Sequence, residues 1–91
     1  MSFMTVPTWN QYHQRILNAH EVPPRSQQTD LYPYVPVRAR IVWEQDGVER
    51  IETTAYAYSG RLILVYTHDR RNHGTGVWLS VEDAPKLGPE S

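Results

Sequence analysis

Apolar and polar residues alternate from Val37 to Trp43, give way to Gln45-Asp46-Gly47, and alternate again from Val48 to Tyr58. Ser59-Gly60 then turns the chain into Arg61-Leu62-Ile63-Leu64-Val65-Tyr66-Thr67. A period of two over such runs, punctuated by glycine, predicts strands joined by hairpins. The register follows from keeping apolar residues together, because a slip of one residue sends every side chain to the other face. A two-residue loop at Asp46-Gly47 sets Ile41 opposite Glu52 and Trp43 opposite Arg50. A three-residue loop, Gln45-Asp46-Gly47, sets Ile41 opposite Ile51, Ala39 opposite Thr53 and Val37 opposite Ala55, with Gly47 where positive φ is needed. The turn at Ser59-Gly60 sets Ala57 opposite Leu62, Ala55 opposite Leu64 and Thr53 opposite Tyr66. The expected core face is therefore Val37, Ala39, Ile41, Trp43, Ile51, Ala55, Ala57, Leu62, Leu64 and Tyr66.

The opposite face carries Arg38, Arg40, Val42, Arg50, Glu52, Thr54, Tyr56, Tyr58, Arg61, Ile63 and Val65. Val42, Tyr56, Ile63 and Val65 are more apolar than a solvated face needs, so a cover is expected from this chain or from a partner.

Upstream, residues 8–21 have a helical period. Trp9, Tyr12, His13, Ile16, Leu17, Ala19 and His20 share one broad face, while Asn10, Gln11, Gln14, Arg15 and Asn18 share the other. Thr8 with Gln11 makes a capping-box pattern, and Pro23-Pro24 ends the element. Residues 22–36 hold four prolines and read as a connector, with Leu31–Pro36 extended along a sheet edge. After a polar loop from His68 to Gly76, Val77–Val81 reads as a fourth strand and Glu82-Asp83-Ala84 as a single helical turn. The expected fold class is α+β, mostly β: one domain over 1–91, with an antiparallel sheet or barrel over 37–87 behind an N-terminal amphipathic helix. The alternative is an open sheet with that helix packed on the arginine and tyrosine face.

The short strands, Trp78 in the last of them, and the ending VWLSVED into a one-turn helix resemble an SH3-like small barrel over residues 35–87. The resemblance implies a fold only, since that architecture hosts peptide binders, nucleic-acid binders and oligomerisation modules.

Composition narrows the rest. Ninety-one residues make one domain. The chain has no cysteine, which removes disulfides and thiolate metal sites and fits a cytoplasmic location. A net charge of −1 excludes a globally basic nucleic-acid binder but leaves room for a local basic patch. No apolar stretch approaches the ~20 residues a membrane helix needs, and no signal peptide is expected.

His68-Asp69-Arg70-Arg71-Asn72-His73 brings two histidines and an aspartate together, but its arginines oppose a divalent cation, so no metal site is expected. Arg61, Arg70 and Arg71 suit an anion better, with Tyr56, Tyr58 and Trp78 as stacking surfaces and His73 nearby. Trp9, His13, Ile16, Leu17 and His20 form the expected helix interface. Glu49 and Glu52 point to opposite faces of a strand and cannot work as a carboxylate pair, and no catalytic motif or cofactor signature occurs. The expected function is a small non-catalytic protein-binding module, an adaptor or inhibitor of a larger partner, either monomer or homodimer. The alternative is a nucleic-acid-binding regulator using the Arg61, Arg70 and Arg71 side.

Overall fold

The computed structural model describes residues 13–72 and 74–88. Four antiparallel strands follow one another across a single sheet in the order β1 (Thr29–Trp43), β2 (Gly47–Ser59), β3 (Leu62–Tyr66) and β4 (Gly76–Ser80). The first hairpin has a three-residue loop, as the pattern predicts, but the loop is Glu44-Gln45-Asp46 and Trp43 pairs with Gly47, whose φ is 78°. Every partner moves by two residues, so Ile41 meets Glu49 rather than Ile51. A shift of two leaves each side chain on its expected face. Val37, Ala39, Ile41 and Trp43 are accordingly buried.

The second hairpin departs further. Ser59 pairs with Leu62, leaving Gly60-Arg61 as the loop, and Gly60 takes the positive φ (58°) that a two-residue hairpin turn demands at its first position. Ala55 pairs with Val65 but Ala57 with Leu64, so Tyr56 is an extra residue in β2. Such a bulge reverses the parity of everything after it. Val65 and Ile63 therefore join the core side, with Val77 and Leu79 of β4 opposite them. Leu62, Leu64 and Tyr66, expected in the core, lie on the second face with Ala57 and Trp78. Tyr66 is 45% exposed.

β1 begins at Thr29, so the second half of the proline-rich connector is strand, with its register broken between Asp30 and Val35. A 3-10 turn at Val81–Asp83 follows β4, and the Ser80 hydroxyl accepts from the Glu82 amide at its start. The chain then returns to β1: the Arg38 amide donates to Pro85 O and the Leu87 amide to Pro36 O.

No N-terminal helix exists among the described residues, which corrects the α+β assignment. Trp9 and the rest of 8–12 lie outside them. From Gln14 to His20 the chain instead forms a strap between two strands that do not pair with each other, β1 and β4. The Leu17 amide donates to Val42 O (2.7 Å), the Glu44 amide to Arg15 O (2.9 Å), and the His20 amide to Trp78 O (2.8 Å). Two side-chain amides complete the seam. Asn18 donates to Arg40 O at 2.8 Å and accepts from the Val42 amide at 3.0 Å, as a strand backbone would, and its amide also reaches Asp83 at 3.1 Å. Gln14, 7% exposed, accepts from the Gln45 and Asp46 amides at 3.0 and 3.1 Å, capping the first hairpin. An isolated helix of this length is marginal in water, whereas an open strand edge offers a full row of unpaired backbone groups. The edge wins.

Asn18→Ala leaves the Val42 amide and one Arg40 carbonyl bond unmet, and urea denaturation is expected to show a loss of about 2 kcal/mol. A loss below about 0.5 kcal/mol would mean the seam does not hold the strap. Gly76 lies under the bulge, where an added methyl would collide with the Tyr56 hydroxyl and press on Leu64 Cδ1 at 3.0 Å. Gly76→Ala is expected to cost about 1–3 kcal/mol, and Tyr56→Phe in the same chain to restore part of it. Equal stability of the single and double variants would contradict this packing.

Candidate functional site

Two surfaces concentrate chemistry. The first is a charged node at the tip of the first hairpin. Arg71 lies with its guanidinium carbon 3.9 Å from the centroid of the Trp43 ring. It directs four of its five N–H donors to carboxylates: two to Asp69 (both 2.8 Å), one to Asp46 (3.0 Å) and one to Glu49 (2.7 Å). Glu49 also accepts from the Trp43 indole at 2.9 Å, which ties the node to the core. The Arg71 carbonyl accepts from the Gln14 amide, and the Asn72 side chain donates to Gln14 O. One arginine thus fastens the strap, the hairpin tip and the loop after β3 together. Beside it opens a cleft of about 640 Å³ lined by Gln14, Gln45, Asp46, His68, Asp69, Arg70 and Arg71.

The electrostatics follow the hydrogen bonds. The two Arg71 bonds hold the Asp69 carboxyl down to about 2 from an ordinary 3.8. The Gln14 amide bond, then the Arg71 bond, lower Asp46. Arg71 itself is raised by Asp69 first, then by Glu49 and Asp46. Three carboxylates around one cation leave the node acidic rather than anion-seeking.

The second surface is a strip of aromatic rings. Tyr32 and Tyr34 meet edge to face with centroids 6.5 Å apart, Tyr34 lies 6.0 Å from Tyr56, and Tyr66 lies 6.4 Å from His68. Burial, then the neighbouring Tyr34 and Tyr66, push the Tyr56 phenol above its usual range. Tyr32 is 93% exposed and Tyr34 60%, in a stretch of β1 whose Pro33 has no amide donor.

The residues singled out from the sequence scatter. Arg61 sits on the β2–β3 turn and pairs with Glu82 in full solvent, while Arg70 and Arg71 lie beyond the far end of β3. Tyr58 pairs with Ile63, on the side of the sheet away from Tyr56, and Trp78 is buried in β4. His73 is outside the described residues. In the strap, Ile16 packs on the core, Leu17 is 53% exposed, and His13 and His20 are exposed. The sequence reading missed Gln14 and Asn18, which its helical period assigned to solvent. It also missed Tyr32 and Tyr34, read only as part of an extended connector along a sheet edge.

Among the described residues no cluster of histidine and carboxylate side chains suited to a metal ion occurs, and no helix is long and apolar enough to cross a membrane. No family model, curated protein or solved structure matches the chain.

The node predicts an acid response with a definite sign. Carboxylates held below their ordinary values stabilise the fold fully above the unfolded value and lose that contribution as pH falls through the folded one. The urea midpoint is expected to drop between about pH 5 and about pH 1, and to drop less in Asp69→Asn, which is already weaker at neutral pH. Parallel profiles for the two proteins would show that the Asp69–Arg71 pair carries no stability.

Proposed function

We propose that this protein is a small non-catalytic protein-binding module, an adaptor or inhibitor that grips a larger partner with its tyrosine strip. The observation that carries the reading is the exposure of Tyr32 and Tyr34 on a strand, ring against ring, where burial would be the ordinary outcome. Tyrosine offers a large contact area with few torsions to freeze and a hydroxyl to place, and it is enriched at interface hot spots. The strip stands on the paired strands β1 and β2, and Tyr34 and Tyr56 meet where β2 bulges, with ring centroids 6.0 Å apart. The four-stranded antiparallel sheet and the 3-10 turn after its last strand fit an SH3-like architecture, but the sheet does not close into a barrel, and the strap stands between β1 and β4. The lack of cysteine fits a cytoplasmic setting.

The nucleic-acid alternative has less behind it. Arg15, Arg38, Arg40, Arg61 and Arg71 each face a carboxylate, which removes most of the field that phosphate would feel.

Affinity capture from the native host with the intact chain and with Tyr32→Ser/Tyr34→Ser separates the readings. Both positions are exposed, so circular dichroism and the urea midpoint are expected to stay unchanged. The proposal expects a protein retained by the intact chain and lost from the double variant. Retention by both would put the contact elsewhere. Binding of mixed-sequence DNA or RNA that weakens steeply between two salt concentrations would favour the alternative.

A further inference from the structure

We propose that the cleft between β1 and β4 is a strand-acceptor site, and that residues 14–20 of a second copy of this chain occupy it in a reciprocally exchanged dimer. This goes beyond the tyrosine strip, which lies outside the seam. The first ground is the nature of the strap's contacts. Gln14 meets Gln45, Asp46 and Arg71, Leu17 meets Val42, Asn18 meets Arg40 and Asp83, and His20 meets Trp78. Every one joins residues at least 22 positions apart in sequence, so each forms equally well when the strap comes from another chain.

The second ground is the connector. The eight residues Glu21–Gln28 link the strap to β1, and their hydrogen bonds among the described residues are internal: Gln27 amide to Pro24 O, Gln28 amide to Arg25 O, and Gln28 side chain to Pro23 O. These bonds hold one 3-10 turn, Arg25–Gln27, with no buried residue. Pro24, at φ −55° and ψ 141°, is already extended. Opening that turn lengthens the connector and breaks no hydrogen bond to the sheet. Val22, 70% exposed, lies within the connector, where two crossing copies would shelter it.

The two forms thus share the same seam and differ only in the connector and in concentration, the circumstance in which exchange of an identical element is a low-cost route to a dimer. Closing a short flexible connector within one chain corresponds to an effective concentration on the order of millimolar. The exchanged form therefore gains ground as refolding takes place at protein concentrations approaching that value.

The test uses the natural absence of cysteine. Arg15 and Glu44 face each other across the seam through a backbone bond of 2.9 Å and are both exposed. Full-length Arg15→Cys/Glu44→Cys, refolded and oxidised at low and at near-millimolar concentration, is read on a non-reducing denaturing gel. Exchange is expected to give a covalent species of doubled mass whose share rises with refolding concentration. Cross-linked monomer alone at every concentration would overturn the proposal. Light scattering on the unmodified chain, refolded over the same range, guards against misfolding of the variant: dimer growing with concentration supports exchange, and monomer throughout overturns it.

Discussion

The outer edge of β1 sets the terms for the whole molecule. A fifteen-residue strand with a neighbour on one side only presents a row of backbone donors and acceptors that must be met. The protein meets them with two unrelated pieces of chain, the strap at Val42–Glu44 and the C-terminal segment at Pro36–Arg38. Where the strap leaves the strand, the Asn18 amide continues the ladder in place of a peptide group. Prolines 33 and 36 blunt the rest.

That arrangement explains why the charged node sits where it does. Once the strap is docked, the Gln14 amide and carbonyl lie against the loop after β3, and Arg71 is held between that loop and the hairpin tip. Its guanidinium closes over Trp43, whose indole is turned toward Glu49. The node thus works as a clasp on the seam. The tyrosine strip, by contrast, depends on the bulge at Tyr56, which carries that ring over Gly76 and toward Tyr34. Clasp and strip approach each other at His68, which lines the cleft beside the node and lies 6.4 Å from Tyr66.

Much of the sheet was legible in the letters. The alternation from Val37 to Trp43 and the glycine at 47 were enough to set the faces of the first hairpin, because an error of two in register leaves faces intact. The bulge was not legible, since Thr54-Ala55-Tyr56-Ala57-Tyr58 alternates equally well in either parity. Its only trace was the surplus of apolar residues at Ile63 and Val65 on the supposed outer face, which was the core face beyond the bulge. The strap was misread for a similar reason. Spacings of three and four between apolar residues describe a helix, and nothing local says that Gln14 and Asn18, four apart, will be needed by a strand edge far along the chain. Among the site residues, Arg71 was singled out for its charge, with Asp69 two residues before it, but its other partners, Asp46 and Glu49, belong to the first hairpin, which only the folded chain brings to this loop.

Residues 14–20 close the edges of β1 and β4 as an extended strap. Backbone chemical shifts together with amide hydrogen exchange on the labelled full-length protein test it most directly. Non-helical shifts are expected across this segment, with slow exchange at the amides of Gln14, Leu17 and His20, which donate to Arg71, Val42 and Trp78. Helical shifts from Gln14 to His20, or exchange at those three amides as fast as at exposed Arg25 and Ser26, would overturn this.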